Sequence, residues 1–239
     1  MKESVLILGA NSDVAKECIN LYVKKGYEVV AASRNLSQLE EFVRSLNIEE
    51  KVVLKHFDAV EFGSHQNFYS DLKNKPSIVV YAAGFLVDNE QALLDWEGSF
   101  QMMKVHYAGA VSILNIIATD ESNKHLAQII GLSSLSGVRG RKSNFIYGST
   151  KSAFTQYLAG LKQYLIPRAI KVNVIVAGYI RSKMTAGLNL TESLMLEPEF
   201  IAKAVVNAKN KLIIVPGFKW KIIYTILRLL PESLVAKLP

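Results

Sequence analysis

Three side chains suited to proton transfer stand at fixed spacing in the middle of the chain. Ser134 precedes Tyr147 by thirteen residues, and Lys151 follows Tyr147 by four, one turn further along a helix. An unperturbed tyrosine has a pKa of about 10, which suits it poorly to proton exchange near neutral pH. An ammonium group one turn away favours the phenolate, so we expect Lys151 to lower the pKa of Tyr147. Such a tyrosine can supply the proton when a ketone becomes an alcohol.

The spacing to the serine distinguishes this tyrosine from the others. A Tyr-x-x-x-Lys element also begins at Tyr69 and at Tyr179, but the residues thirteen positions earlier are His56 and Ile166. Only Tyr147 has a small hydroxyl side chain at that position. An exposed tyrosine–lysine helix pair beside a polar loop of serines is the alternative interpretation.

Apolar runs alternate with segments of helical period, the order expected for a parallel sheet with helices on both faces. We expect a single α/β domain over residues 1–239 with a doubly wound sheet of about seven strands, whose ligands bind where strand ends meet helix starts. The predicted strands are Ser4–Leu8, Tyr27–Ala32, Val52–Phe57, Ser77–Ala82, Gln128–Leu132, Lys171–Val176 and Leu212–Val215. The predicted helices are Val14–Lys25, Leu39–Leu46, Gln91–Ala118, Tyr147–Leu165 and Glu199–Ala208.

Composition narrows the class of protein. The chain is half hydrophobic, carries a formal net charge of +7 and has one cysteine, Cys18, so no intrachain disulfide is expected. The N-terminus lacks the pattern of a signal peptide, and we therefore expect a cytoplasmic protein. The positive charge suits a phosphorylated cofactor or an acidic membrane surface. Nucleic acid is not expected as a partner, because the basic residues are scattered rather than clustered with exposed aromatic residues.

The junction between the first strand and the first helix has the features of a phosphate-binding turn. A glycine allows the chain to turn, and the start of the helix presents free backbone amides to an anion. The residues assigned to a cofactor here are Gly9, Asn11, Ser12, Asp13 and Val14.

This junction, the Tyr147–Lys151 pair and the strand end Ser133-Ser134-Leu135-Ser136-Gly137 resemble the short-chain dehydrogenase/reductase family, whose first turn reads Thr-Gly-x-x-x-Gly-x-Gly. The resemblance covers residues 4–215 and implies a Rossmann-like fold that binds NAD(P). It also implies that Tyr147 is the general acid/base, that Lys151 holds the nicotinamide ribose and that Ser134 hydrogen-bonds the substrate oxygen.

The first turn departs from the family pattern at three positions, with Leu8 for the Thr, Asp13 for the second Gly and Ala15 for the third. Ala15 keeps the small side chain that helix–strand packing needs. A carboxylate beside a pyrophosphate repels it, unless the carboxylate caps its own helix. We expect Asp13 to adopt that capping conformation.

Positions after the next strands complete the expected cofactor site. An acidic residue after the second strand would bind the ribose of NAD, whereas Arg34 can pair with a 2′-phosphate, so NADP (as NADPH) is expected and NAD is less favoured. A solvated loop arginine is the alternative for Arg34. By resemblance, Asp58 meets the adenine ring, with a plain turn aspartate as the alternative. Ala83 and Gly84 let the backbone approach the cofactor closely.

The segment Ala177-Gly178-Tyr179-Ile180-Arg181-Ser182 is similar to the family's Pro-Gly-x-x-x-Thr. The resemblance implies that the backbone near Gly178 and Ile180 meets the nicotinamide carboxamide and that Ser182 donates to the cofactor. His106 occupies the position of an Asn that holds a proton-relay water in many family members. A relay histidine, counted among the catalytic residues, and a packed histidine are both open.

Two further segments are expected to serve the substrate side. Residues 185–200 fit a mobile apolar lid, with a surface helix as the alternative. Residues 218–239 form a basic amphipathic segment too short in its apolar part to span a bilayer. This segment either covers the sheet edge or a neighbouring subunit, or lies in a membrane interface.

Together the motifs predict an NADPH-dependent oxidoreductase that reduces a carbonyl group, with a preference for an apolar or lipid-linked substrate and with no metal site. By resemblance the chain forms a homodimer or homotetramer through its two long helices, and peripheral membrane contact through the C-terminal segment is open. The alternatives are a catalytically silent cofactor-binding scaffold and an epimerase that uses transient oxidation. The scaffold is motivated by Asp13, by His106 and by Ala82, which stands in Tyr81-Ala82-Ala83-Gly84 where the family usually has Asn-Asn-Ala-Gly.

Overall fold

Continuous apolar runs form the strands, because the strands of a parallel sheet are buried on both faces. The computed structural model describes residues 3–237, within which seven strands pair in parallel in the order β3-β2-β1-β4-β5-β6-β7. The predicted doubly wound sheet is confirmed, with strand ends at most two residues from the predicted ones. The strands are β1 Ser4–Leu8, β2 Glu28–Ser33, β3 Val52–His56, β4 Ile78–Tyr81, β5 Gln128–Ser134, β6 Lys171–Ala177 and β7 Ile213–Ile214.

Helices connect the strands and follow them at the C-terminal end. The predicted helix Gln91–Ala118 is wrong as one element, because it breaks at Asp95 and later passes through a π-helical turn, Lys104–Ala108. A short helix at residues 65–70 was not expected from the sequence. The helices of the described chain are α1 Asp13–Lys24, α2 Ser37–Ser45, α3 His65–Ser70, α4 Asn89–Leu94, α5 Trp96–Met103, α6 Gly109–Thr119, α7 Phe145–Tyr164, α8 Pro198–Val206, α9 Phe218–Leu229 and α10 Glu232–Val235.

Each face of the sheet buries its own apolar cluster, because successive side chains of a strand point to opposite faces. On β1, Leu6 and Leu8 belong to the cluster that α6, α7 and α9 cover. Val5 and Ile7 belong to the cluster under α1, α2 and α8. All four of these side chains are fully buried. The sheet is thus a rigid plane from whose carboxyl edge the loops project.

The order of the strands opens a crevice at that edge. β1 pairs with β2 on one side and with β4 on the other, so the connections after β1 and β4 leave on opposite sides of the sheet. Ligands of such sheets bind at this reversal of strand order. The first turn, the loop after β4 and the end of β5 all lie at this edge, where the sequence motifs had been predicted to meet.

The C-terminal segment packs on the rest of the protein through α9. Trp220 and Leu227 are buried in the same cluster as α6 and α7. Residues 238–239 of the predicted segment 218–239 lie outside the described residues. No helix within residues 3–237 has the length and apolar character needed to cross a membrane.

Candidate active site

A cavity of about 520 Å³ lies at the carboxyl edge of the sheet, beside the reversal of strand order. Its lining residues come from eight separate parts of the chain, and the predicted site residues among them come from six. The predicted site residues that line it are Gly9, Asn11, Ser12, Asp13, Val14, Arg34, Asp58, Ala83, Gly84, Tyr147, Lys151, Ile180 and Ser182. The predicted residues Ser134, His106 and Gly178 do not line it.

Gly9 shapes the first turn through both its conformation and its lack of a side chain. Its φ of +84° lies in the left-handed region that favours glycine. A Cβ built on Gly9 would lie 2.4 Å from the backbone nitrogen of Ala83, in the loop after β4. The turn and that loop therefore approach more closely than any other residue type allows.

The start of α1 leaves its backbone amides available to an anion. Ser12 is the N-cap residue, and its side chain makes no capping hydrogen bond. The first amides of a helix have no partner within the helix, so those of α1 point to the cavity as free donors. Nearby, the Asn11 amide nitrogen donates to Ser33 Oγ (2.9 Å) and to the Asn35 carbonyl (2.7 Å). The buried Asn11 Oδ1 has no partner among the described residues.

Asp13 does not cap its helix, and that prediction is wrong. It is the first residue of α1, and its Oδ2 accepts a hydrogen bond of 2.7 Å from the backbone N–H of Lys183. The Lys183 ammonium lies 4.0 Å from Oδ1. The carboxylate thus binds Lys183, in the segment after β6, and not the amides at the start of its own helix. The carboxylate therefore joins the two walls of the cavity.

Arg34 directly follows β2, and Asp58 lies two residues after the end of β3. Arg34 is exposed at the cavity margin, and no ion pair with it is found within residues 3–237. Asp58 Oδ1 accepts from the backbone N–H of Val60 at 3.0 Å, as a turn aspartate does. Asp58 also lines the cavity, and its contact with an adenine ring stays a prediction.

The serine, tyrosine and lysine meet where β5 ends and α7 begins. Ser134 is the last residue of β5, and its hydroxyl is close enough to the Tyr147 phenol to lower the pKa of that group. Tyr147 stands in the first turn of α7, with Lys151 one turn later and its Nζ 5.7 Å from the centroid of the Tyr147 ring. The Lys151 ammonium donates to the Leu132 carbonyl at 3.2 Å. The predicted trio is therefore assembled.

The protonation of this trio differs from the expectation. Burial raises the pKa of Tyr147 to about 12, and the Ser134 hydroxyl opposes that rise. Burial lowers the pKa of Lys151 to about 8. The prediction that Lys151 lowers the pKa of Tyr147 is wrong for this state, because desolvation outweighs a charge that is turned toward the Leu132 carbonyl.

His106 is fully buried and links three elements of the protein. The Phe85 N–H donates to His106 Nε2 at 3.0 Å, and His106 Nδ1 lies 2.8 Å from Thr150 Oγ1. Thr150 donates its own proton to the Tyr147 carbonyl (2.7 Å), so Nδ1 carries the ring proton. Burial and the nearby Lys151 ammonium hold the pKa of His106 well below its usual range. Both ring nitrogens are used, and the geometry supports the packed alternative over the relay.

The His106 ring also fixes the neighbouring tyrosine. It meets the Tyr147 ring edge-on, with centroids 5.4 Å apart and planes at 88°. Aromatic pairs favour this T-shaped arrangement. His106 therefore contacts Tyr147 directly and also through Thr150.

The segment after β6 carries two of its three predicted residues into the cavity. A Cβ on Gly178 would lie 2.1 Å from the Trp220 indole, so this glycine packs against α9 and not against the cavity. Ser182 caps the short 3-10 turn Lys183–Thr185 through reciprocal hydrogen bonds with Thr185. Ile180 forms an isolated bridge with Leu196.

The predicted lid, residues 185–200, contains 3-10 turns and the start of α8 rather than a surface helix along its length. Arg181 pairs with Glu192 and, at 2.9 Å, with Glu197, so the segment is tied at two points to the strand end before it. Trp220 Nε1 donates to the Leu194 carbonyl at 2.8 Å. These contacts hold the segment against the cavity wall.

Sequence reasoning missed several residues that shape the site. Thr150 and Lys183 gave no signal of their own, since each is placed by a partner distant in sequence. The remaining unpredicted lining residues are neighbours of the predicted ones at strand ends, and that proximity was the available signal. They are Ser33, Phe57, Ala59, Ala82, Phe85, Leu86, Val105, Leu132, Ser133 and Met184.

Comparison with known proteins gives concordant matches. The family described as short chain dehydrogenase matches residues 3–193. An uncharacterized oxidoreductase from Mycobacterium tuberculosis is 26% identical over 246 residues, covering 98% of this chain and 96% of that protein. An uncharacterized oxidoreductase from Staphylococcus epidermidis is 28% identical over 215 residues, covering 87% and 91%. A short chain dehydrogenase from Burkholderia cenocepacia, solved in complex with NADP, has a TM-score of 0.83 at 18% identity and covers 98% of this chain and 95% of that one.

Proposed function

The chain belongs to the short chain dehydrogenase family, and from that premise we propose that it is an NADPH-dependent oxidoreductase that reduces a carbonyl group to an alcohol. One observation carries the proposal. Tyr147 and Lys151, with Ser134 next to the tyrosine, line or adjoin the same cavity as the first amides of α1. A group that can protonate a carbonyl oxygen and backbone amides that can bind a phosphate thus lie at the same cavity.

The residues of the cavity fit a dinucleotide. The turn at Gly9 leaves room that a Cβ would fill, and the amides at the start of α1 suit a pyrophosphate. The unpartnered Asn11 Oδ1 can accept a hydrogen bond from a ribose hydroxyl. Arg34 suits a 2′-phosphate, and the solved relative from Burkholderia cenocepacia binds NADP. We therefore assign NADPH rather than NADH as the reductant.

The proton side of the reaction follows from the trio. When bound, reduced nicotinamide supplies the hydride for the carbonyl carbon. Tyr147 donates its phenolic proton to the carbonyl oxygen, which Ser134 orients by a hydrogen bond. A pKa of about 12 keeps Tyr147 protonated and ready to donate at neutral pH. Lys151, one turn further along α7, would hold the nicotinamide ribose, the role that the family resemblance gives it.

The substrate side of the cavity is largely apolar. Phe85, Leu86, Val105 and Met184 line it, and no arginine or lysine other than Arg34, Lys151 and Lys183 does so. We infer a substrate whose carbonyl sits on an apolar or lipid-linked body. Peripheral contact with a membrane would give the enzyme access to such a lipid.

The two helical segments before and after β5 offer a surface for self-association. They expose five large apolar side chains, of which Trp96 and Phe100 stack on each other, and exposed apolar surface favours association. We infer a homodimer or homotetramer built on this surface, which light scattering of the purified chain would identify. The side chains are Leu94, Trp96, Phe100, Tyr107 and Phe145.

The test is a fluorescence titration with NADPH and NADH in parallel, followed by a screen of carbonyl compounds. Tighter binding of NADPH together with its oxidation by a carbonyl compound supports the proposal. Binding without turnover on any carbonyl compound would favour the silent scaffold, and interconversion of sugar epimers without consumption of NADPH would favour the epimerase. Arg34→Ala should abolish the preference for NADPH while leaving NADH binding unchanged.

A further inference from the structure

Helix α9 has two apolar faces, of which only one is needed for packing. The inner face holds Trp220 and Leu227, which are 4% and 6% exposed. The outer face exposes four large apolar side chains, which fall within an arc of roughly 80° at 100° per residue. We call them the outer stripe: Phe218 (77% exposed), Ile222 (45%), Ile226 (49%) and Leu229 (78%).

The inner face and the helix end already anchor α9 to the protein. The Trp220 indole fills the space over Gly178, stands edge-on to Tyr179 at 5.0 Å, and donates to the Leu194 carbonyl. The Arg139 guanidinium donates to the Leu227 carbonyl at 3.0 Å and to the Arg228 carbonyl at 3.1 Å, which closes the C-terminal end of the helix. The outer stripe therefore contributes little to holding α9 in place.

Basic side chains border the stripe on both sides. On the helical projection Lys219 follows one edge of the stripe, while Lys221 and Arg228 precede the other. Residues 218–231 contain no Asp or Glu. The helix thus presents an apolar centre with a cationic border and no compensating carboxylate.

This charge pattern distinguishes between two partners for the stripe, a second copy of the chain and a membrane surface. If two copies paired symmetrically through the stripe, cationic borders would face each other with no acidic side chain in the helix to offset them. A helix of twelve residues is only about 18 Å long, which excludes a span across a bilayer core of about 30 Å. An anionic phospholipid surface accepts both features, because headgroups bind the cations and the acyl boundary accepts the apolar side chains.

We propose that the outer stripe of α9 docks on the surface of membranes that contain anionic phospholipid. Lys219, at the border of the stripe, donates to the Ser193 carbonyl, and Trp220 on the inner face contacts Leu194 and Gly178, beside the wall of the cavity. Docking therefore sets that wall next to the bilayer. The proposal does not depend on the reductase activity, and its test uses no turnover.

The experiment is co-sedimentation of the full chain with vesicles of phosphatidylcholine alone and of phosphatidylcholine with phosphatidylserine. The unmodified chain should pellet with the anionic vesicles, less so at high salt. The double variant Phe218→Ser/Leu229→Ser should lose at least tenfold in partitioning. A matched control is Ile166→Ser/Phe200→Ser, which removes two side chains of 66% and 46% exposure elsewhere and should bind as the unmodified chain does.

Circular dichroism and a thermal melt check that each variant folds. Equal recovery of the unmodified chain and the stripe variant in the pellet, or in the supernatant, would overturn the proposal. So would a lower oligomer mass of the stripe variant by light scattering without any vesicle binding, since the stripe would then be an interface between copies. A second pair, Lys221→Ser/Arg228→Ser, should weaken binding to anionic vesicles several-fold while leaving thermal stability unchanged.

Discussion

The corner between β5 and α7 and the turn after β1 differ in which part of the chain forms the site, side chains in the first and backbone in the second. At the corner of β5 and α7, the proposed chemistry rests on side chains, and Ser134, Tyr147 and Lys151 match the family pattern without exception. At the turn after β1, backbone amides do the binding, and two of the three glycine positions hold other residues, Asp13 and Ala15. A site built from side chains constrains residue identity, whereas a site built from backbone constrains conformation. Gly9 is retained because its conformation is the one that only glycine adopts at low cost.

The largest expected effect tests the side-chain half of this comparison. Tyr147→Phe removes the phenolic proton but leaves the ring in contact with His106. We expect kcat to fall by about 10³, the usual scale for loss of a general acid, with the Kd for NADPH changed less than twofold. Steady-state kinetics and fluorescence titration measure the two quantities. Retained turnover would show that another group supplies the proton.

A substitution at Gly9 tests whether the conformation of the turn determines nucleotide binding. Gly9→Ala forces a Cβ to within 2.4 Å of the Ala83 nitrogen at a φ of +84°, and both the clash and the strain must be relieved by movement of the turn. We expect NADPH affinity to fall by about 10² and unfolding free energy by roughly 2–3 kcal/mol. Gly26→Ala is a matched control, since its φ is +91° but no atom lies within 4 Å of the added carbon. Equal losses in the two variants would assign the effect to strain alone.

The pH dependence tests whether Lys151 acts by its charge. Its pKa of about 8 means that the ammonium is present below pH 8 and is lost as the pH rises through that value. Since Tyr147 has a pKa of about 12, it stays protonated over the same range. We expect kcat/KM for reduction to be level below pH 8 and to fall about tenfold per pH unit above it. In Lys151→Arg the decline should move to higher pH, because a guanidinium remains charged. A decline at the same pH in that variant would exclude Lys151 as its origin.

His106 lies between the two regions, since it joins the loop after β4 to α7. His106→Asn restores the residue of many family members, but the shorter side chain cannot reach both Phe85 and Thr150. We expect a loss of about 1–2 kcal/mol in unfolding free energy and a decrease of several-fold in kcat with NADPH affinity unchanged. Thr150→Val removes the partner of His106 Nδ1 and the link to the Tyr147 carbonyl but keeps the Phe85 contact of His106, and should cost less. If His106→Asn instead raised kcat, the histidine would impede a relay.

The smallest expected effect concerns the carboxylate in the turn. Asp13→Asn removes a negative charge beside the phosphate region and keeps an oxygen to accept from the Lys183 N–H. A charge removed at about 4 Å in water is worth roughly 1 kcal/mol, so NADPH should bind about fivefold more tightly. Asp13→Ala also loses the hydrogen bond and serves as the comparison variant. Weaker binding of NADPH to Asp13→Asn would show that the Asp13 charge is needed to position Lys183 for contact with the cofactor.

Local signals in the sequence predicted the sheet and most of the cavity. Buried parallel strands appear in the sequence as continuous apolar runs, so the ends of each strand were predicted to within two residues. Because the motifs follow the strands in order, they also predicted that the site lies at the carboxyl edge of the sheet. The helix at residues 65–70 is short and polar, and the π-helical turn at Lys104–Ala108 keeps an apolar pattern, so neither has a clear signature. The partnership of Asp13 with Lys183 spans 170 residues. Contacts of that kind arise from the fold and have no local pattern.

The position of Trp220 gives the protein an optical reporter of its own site. The chain contains two tryptophans, and the other, Trp96, is 67% exposed and stacked on Phe100. In a Trp96→Phe variant, emission would come from the buried indole that covers Gly178 and holds the Leu194 carbonyl. Reduced nicotinamide absorbs where tryptophan emits, so energy transfer from Trp220 would report occupancy of the cavity. A shift of its emission maximum would separately report displacement of α9, without any added dye.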